Sequence, residues 1–333
     1  MDNVQLRIGL GKYDRHQGLV DGSTKIQGVD AQYETHQIIT EVFERMVRQR
    51  IYDIGELGLS YFLRTLDLDD PPFLAIPVFP VRVFRHSAIY INTDSGITKP
   101  EDLAGKTIGE FAMYGHDAGV WPKGVLSDDF GLKPEQCRWV IGWLDWPMKP
   151  VDFVPLVHPP GIEIKTAPIG TDLGALLEKG EIDALISADV PKCFLEKSSK
   201  VARLFPDFQA TEREYFKRTG IFPAMHTVVV RKEMATQQPE VLRSVYKAFC
   251  DAKDAARAQY LKGAIFNNMA TMVPWFSQLI DEDTELLGED WWPYGMKANR
   301  KMVDTFLRYH FEQGLSKRQM TCEDIFVPDF LES

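Results

Sequence analysis

The sequence predicts an α/β protein of two lobes, joined by two strand crossovers and followed by a helical C-terminal region. Three observations carry that prediction. Strand-like apolar runs alternate with amphipathic helical ones, the pattern of a parallel sheet. Two further runs, Val81 to Asn92 (VRVFRHSAIYIN) and Phe222 to Arg231 (FPAMHTVVVR), lie far apart, and each reads as a strong strand carrying a histidine, His86 or His226. After the second run the chain is mostly helical. Residues 1–88 with 226–333 are therefore expected to form the first lobe and 89–225 the second, with a ligand cleft between them.

The elements follow in order. Val4 to Gly9 alternates and reads as the first strand, and a polar loop with Tyr13, Asp14, Arg15 and His16 follows it. Asp21 to Val29 reads as a turn and a strand. Thr35 to Arg48 carries Ile38, Ile39, Val42, Phe43, Met46 and Val47 on one stripe and is expected to be a helix. YDIGEL is a short strand, Gly58-Leu59-Ser60 a helix entry, and LAIPVFP a buried strand. In the middle segment, Thr98-Lys99-Pro100-Glu101 marks a helix start with Thr98 as N-cap and Glu101 in capping-box position. Gly105 ends that short helix, and TIGEF (107–111) is a strand. Glu163 to Pro168 and Ile182 to Ser187 are strands, with a helix from Asp172 to Lys179 between them. IYDIGELGLS and EIDALISADVP look like equivalent units. Helices are expected over Pro239 to Tyr260, around Met269 to Ile280, and over Lys297 to Gln313.

Composition narrows the function. The chain has 333 residues, 44% hydrophobic and 26% charged, with a net charge of −10. An acidic chain of this kind is not expected to bind nucleic acid. No stretch approaches the roughly 20 apolar residues of a membrane helix. The first residues have no basic region followed by an apolar run, so no secretory signal is expected and the location is read as cytoplasmic. Cys137, Cys193, Cys250 and Cys322 are far apart, which fits a reduced compartment and argues against a cysteine metal site.

Candidate site residues gather at the carboxyl ends of the expected strands, where open α/β sheets bind ligands. Arg15 and His16 follow strand one, and Glu56 and Ser60 follow YDIGEL. Arg82, Arg85 and His86 form the densest basic cluster, in the first crossover; arginine suits bidentate carboxylate recognition. Tyr114, His116 and Asp117 occupy the loop after TIGEF, although Asp117 reads equally as a helix cap. His226 begins the second crossover strand, where a satisfied core histidine is the competing reading. Trp291-Trp292-Pro293-Tyr294 reads as packing or an oligomer contact more readily than as a floor for a ring, and a homo-oligomer is expected. No P-loop, HExxH or dinucleotide fingerprint is present. No cofactor and no metal are expected; converging histidines would be the one route to zinc.

IxxPEDLxGKTIG (97–109), the strand units and the late Pro-Glu-Val-Leu helix resemble type II periplasmic binding proteins, most nearly the branch related to thiamine-precursor proteins. Tyr13-Asp14-Arg15-His16, Phe84-Arg85-His86, the run Tyr114 to Trp121, Asp145-Trp146-Pro147 and Glu312-Gln313-Gly314-Leu315 resemble the 4,5-dihydroxyphthalate decarboxylase family, which uses that fold. The resemblance implies removal of one carboxylate from a small aromatic dicarboxylate, giving protocatechuate and CO2 in phthalate breakdown, without an electron-sink cofactor. It places His16, His86 and His116 as acid–base candidates, with Asp117 or Glu56 orienting one of them. Arg15, Arg82 and Arg85, with Ser60, Tyr114 and His226, are expected to bind substrate. The alternative is a non-catalytic binding protein for a small aromatic anion. A biosynthetic enzyme of the thiamine-precursor branch would carry a reactive histidine or cysteine cluster that has no match here.

Overall fold

The computed structural model describes residues 3–145, 151–269 and 271–333. The strands are β1 Val4–Gly11, β2 Val29–His36, β3 Ile54–Gly58, β4 Phe73–Ile76, β5 Ile89–Asn92, β6 Thr107–Phe111, β7 Arg138–Gly142, β8 Glu163–Thr166, β9 Ala184–Ile186, β10 Val201–Arg203 and β11 His226–Arg231. The helices are α1 Asp14–Val20, α2 Ile39–Glu44, α3 Leu59–Thr65, α4 Asp117–Phe130, α5 Leu173–Lys179, α6 Lys192–Leu195, α7 Phe208–Thr219, α8 Lys232–Gln237, α9 Pro239–Ile265, α10 Phe276–Leu287, α11 Arg300–Glu312 and α12 Cys322–Ile325. None of the described helices is long and apolar enough to cross a membrane.

The strands form two sheets, ordered β2-β1-β3-β11-β4 and β10-β5-β9-β6-β7-β8. The two share one plan. In the first, β1 is parallel to β2 and β3, and β11 runs antiparallel to β3 and β4. In the second, β6 is parallel to β7 and β9, and β5 runs antiparallel to β9 and β10. β8 adds one parallel strand at the edge. The segments IYDIGELGLS and EIDALISADVP thus hold equivalent places, as β3 and β9. The chain leaves the first sheet after β4 and returns to its middle as β11. The two passages touch: Val83 N–H donates to Pro223 O at 3.1 Å and Met225 N–H to Val81 O at 2.8 Å, around a bridge between Arg82 and Ala224.

Side-chain alternation on β11 divides the core. Val228 and Val230 face a cluster with Leu6, Ile8, Leu242, Val245 and Phe249, so α9 covers that side of the first sheet. Val229 faces the larger cluster, which runs on through Phe62, Trp121 and Ile186 of the second sheet's surroundings. Trp121 joins the two parts by donating its indole N–H to Ala224 O at 2.8 Å.

Several expected boundaries move. The strand expected within 21–29 begins at Val29 and continues to His36, paired with β1 along its whole length. That ladder delays the helix expected from Thr35 until Ile39, and its last turn, Arg45–Gln49, is π-helical. Arg15 and His16 lie in α1 rather than in a loop. The run from Val81 to Asn92 is strand only over Ile89–Asn92, because its earlier part crosses between sheets, where Arg82 forms only an isolated bridge, and turns through a 3-10 helix at His86–Ala88. Thr98 is not the N-cap of the short helix at Pro100–Leu103; Lys99 is, and the Asp102 carboxylate accepts from the backbone N–H of both Thr98 and Lys99. Glu101 is displaced from the capping-box role by that closer carboxylate. Trp146 and Pro147 lie outside the described residues.

Arg82 braces the crossover. Its guanidinium donates to Phe222 O at 2.8 Å, to Pro293 O at 2.7 Å and to Asn299 Oδ1, and burial lowers its pKa to about 10. Replacing it by methionine leaves these buried acceptors unpaired. Arg82→Met is expected to lower the unfolding free energy by roughly 3 kcal/mol, read from urea denaturation of the full chain. An unchanged midpoint and slope would show that the brace is dispensable.

Candidate active site

The parallel strands β1 and β3 end at Gly11 and Gly58, and the antiparallel β11 begins beside them, with His226 paired to Gly58. Strand ends, a strand start and the entry of α4 meet at this point. Glu56, fully buried, accepts the Gly11 N–H at 2.9 Å and the Tyr13 hydroxyl at 3.1 Å. Its Oε1 also lies 2.6 Å from His226 Nδ1. From the other side, Asp117 at the start of α4 places Oδ2 3.4 Å from His226 Nε2. Asp117 fits because residue 58 is glycine: a Cβ there would run into Asp117 Oδ1. The second oxygen, Oδ1, is buried without a hydrogen-bond partner among the described residues.

The imidazole of His226 is thus held between two carboxylates. Burial alone would lower its pKa, but the Asp117 and Glu56 carboxylates, which accept from the charged ring, outweigh that and raise it to about 9. The ring is an imidazolium at neutral pH. Burial would raise the Glu56 pKa, and the bond to His226 reverses that, so Glu56 stays ionised.

Arg85 stands at the same junction. Its Nε donates to Met225 Sδ at 3.2 Å, and its terminal nitrogens make no hydrogen bond among the described residues. Burial lowers its pKa to about 10, against the attraction of Asp117, Asp189 and Glu212. Asp189, which follows β9, is itself raised by desolvation, against the pull of Arg85 and His116. Arg85, Asp117, His116 and His226 are therefore linked by shared carboxylate neighbours. His116 is the N-cap residue of α4 and is 4% exposed; neither ring nitrogen makes a well-directed hydrogen bond among the described residues, and Nδ1 has a carboxylate oxygen, Glu110 Oε1, at 3.4 Å.

The other expected residues are placed differently. His16 is wholly buried, edge-on to the rings of Tyr13 and Phe249, and burial brings its pKa to about 4 against the pull of Glu56. His86 packs edge-on to Phe205 and Tyr215, and burial, with Arg218 nearby, brings it to about 4 as well. Both rings are neutral at pH 7. Arg15 lies between the Tyr13 and Trp292 rings, 4.3 and 4.6 Å from their centroids, and donates to Asp14 and to Pro80 O. Ser60 donates to Gly115 O, and Tyr114 O accepts from Arg64 at 2.7 Å. Both tie the loop before α4 to α3. Arg82 faces the backbone carbonyls described above. Within the aromatic patch, Trp292 donates to Phe79 O at 2.9 Å and Tyr294 is buried, so these rings pack against the crossover. Tyr13 was singled out only as part of a family motif, and Asp189, Glu110 and Lys123 were not anticipated. Among the described residues no three His, Cys, Asp or Glu side chains are grouped as metal ligands.

Comparisons with known proteins give the family. No family model matches the chain. The 4,5-dihydroxyphthalate decarboxylase of Comamonas testosteroni is 37% identical over 335 residues, covering 100% of this chain and 99% of that protein. The chain belongs to the 4,5-dihydroxyphthalate decarboxylase family. The Pseudomonas putida decarboxylase of the same name is 36% identical over 217 residues, 65% of this chain and 83% of that protein. As a member of this decarboxylase family the chain is an enzyme, a carboxy-lyase. Its fold is that of the periplasmic binding proteins. The sulfonate-binding protein SsuA of Methylobacillus flagellatus superposes with a TM-score of 0.58 over 99% of this chain and 94% of that one, at 14% identity. The Escherichia coli aliphatic sulphonate-binding protein gives 0.54, covering 99% of both chains, also at 14% identity.

The raised pKa of His226 has a signed consequence. Its folded value, about 9, lies above the unfolded value near 6.5. The stability it contributes is complete below about pH 6.5 and is lost as pH rises through 9, with a slope of up to about 1.4 kcal/mol per unit. Unfolding free energy measured by urea between pH 6 and about 10 should fall accordingly, and His226→Gln should flatten that fall. A variant curve parallel to the wild-type one would count against the ion cluster.

Proposed function

We propose that this chain removes one carboxylate from 4,5-dihydroxyphthalate, giving protocatechuate and CO2. The reaction takes place in a cleft between two lobes, 1–88 with 226–333 and 89–225, each built on one sheet. The observation that carries the reading is the imidazolium of His226, held between Glu56 and Asp117 at 2.6 and 3.4 Å, beside the open guanidinium edge of Arg85. The family supplies the substrate class, and the site supplies what that substrate needs.

In this substrate each carboxylate is para to one hydroxyl. Arg85 binds the carboxylate that is retained, through its two terminal nitrogens, which make no hydrogen bond among the described residues. His116 takes the proton of the hydroxyl para to the departing carboxylate, and electron density moves to the ring carbon that bears it. His226 delivers its Nε2 proton to that carbon. The bond to CO2 then breaks, its electron pair restores the aromatic ring, and His116 returns its proton to the phenolate oxygen. One proton from water reprotonates His226, so the net change is uptake of one proton and release of CO2. Glu56 keeps the His226 ring oriented through Nδ1. The phenol itself supplies the electron push, which is why arginine and histidine suffice in this scheme.

Incubation of the pure protein with 4,5-dihydroxyphthalate should release CO2 and yield protocatechuate. Tight binding without CO2 would make the chain a receptor and sink the proposal. His226→Gln and His116→Gln are each expected to lower turnover about 10²–10⁴-fold. Arg85→Ala should lower kcat/KM at least about 10²-fold, chiefly through KM. Native turnover in both histidine variants would remove them from the mechanism.

A further inference from the structure

A second group of charges is buried behind His116. Glu110 on β6 is fully buried. Its Oε1 accepts the Gly115 N–H at 2.9 Å, and each of its oxygens lies 2.7 Å from the Lys123 ammonium on α4. The same Oε1 is 3.4 Å from His116 Nδ1. Three groups from one helix entry thus converge on one carboxylate. Position 119 is glycine, and a Cβ there would run into Glu110 Oε1. Lys123, 2% exposed, also rests over the Tyr114 ring, 3.9 Å from its centroid.

A buried ion pair is a poor stabiliser, because desolvation consumes most of the attraction. Burial brings Lys123 down to about 8, against the attraction of Glu110. An apolar pair of similar volume would hold β6 and α4 together as well. What an apolar pair would not supply is a charged acceptor facing His116.

We propose that Glu110, backed by Lys123, is a positioning residue for His116: it draws the ring proton to Nδ1 and leaves the Nε2 lone pair to take the phenolic proton. The inference rests on the reading of His116 as the base. An ionised carboxylate accepts and does not donate, so the imidazole nitrogen facing it carries the hydrogen. Lys123 keeps the carboxylate ionised. Gly115, bound to the same oxygen, fixes the loop from which His116 projects. An amide at position 110 would donate as well as accept and would select neither tautomer.

The test compares wild type, His116→Gln and the double variant Glu110→Gln/Lys123→Met. The double variant removes both charges with little change of volume and should melt near the wild-type temperature. Its kcat for CO2 release is expected to fall at least about 10-fold with KM within about 3-fold. The 15N shifts of the His116 ring, read without substrate, should report the Nδ1-protonated tautomer in wild type and a mixture in the double variant. A wild-type kcat in the double variant, with His116→Gln slow, overturns the positioning role alone. A wild-type kcat in His116→Gln overturns the base assignment, and the 15N shifts then decide the tautomer by themselves: unchanged shifts in the double variant overturn it, altered ones support it. Should the double variant not fold, Glu110→Gln alone gives the same comparison, since Lys123 can relieve its burial by losing its proton.

Discussion

One imidazolium between two buried carboxylates ties the candidate site together. His226 comes from β11, Glu56 from β3 and Asp117 from the entry of α4, so a single charged cluster joins two strands of the first sheet to the helix that follows β6 of the second. Removing one partner from such a cluster leaves an uncompensated charge out of water, a cost of about 3–5 kcal/mol. The surrounding design satisfies what remains. Gly11 and Tyr13 fill the free lone pairs of Glu56, and Gly58 leaves room for Asp117. The antiparallel register of β11 sets His226 directly across from Gly58, beside the space that Asp117 occupies.

Histidines of similar burial end in opposite states, and the presence of a carboxylate partner decides which. His16 and His86 lie among aromatic rings, where the charged form finds no hydrogen-bonding carboxylate, and burial takes them to about 4. His226 has two, and rises to about 9. One residue type is thus held in two protonation states at a single pH by its surroundings alone. The likeness to sulfonate-binding proteins, at 14% identity, lies in the path of the chain. The relation to the decarboxylases, at 37% identity, runs through the whole sequence.

The fold was largely legible because it is written in periodicity. Alternating runs announced the strands, and the likeness of IYDIGELGLS to EIDALISADVP pointed to two sheets of one plan, which β3 and β9 display. Boundaries were less legible where a ladder outlasted local preference, as in β2, or where a β-rich segment had only one bridge to pair with, as at Arg82. The site was legible in part. Polar residues after strand ends and in the crossover named four of the side chains that the structure brings near one another, Glu56, Arg85, His116 and Asp117. Nothing in the spacing of histidines could say which would meet a carboxylate, because those pairings cross 170 positions, as for His226 and Glu56. Glu110 and Lys123 were hidden for another reason: they are 13 positions apart, but a lone acid in TIGEF and a lone lysine in an apolar helix each look like surface charges. Their signal was the apolar company they keep.

The late return of β11 has a consequence for the order in which the molecule can form. The first sheet lacks its fourth strand until residue 226 has been made, and β4 meets that strand across 151 positions, as in the bond from Thr227 to Ile76 O. The second sheet is complete once residue 203 exists. During synthesis the inserted segment can therefore finish before the segment that began the chain, and the first β3 to β4 surface waits open meanwhile. Long-range closure of this kind is slow, because the loop entropy is lost before the contacts form. The cell must thus shelter an apolar strand gap from the end of β4 to the start of β11, and the charged cluster at His226 cannot assemble before that return.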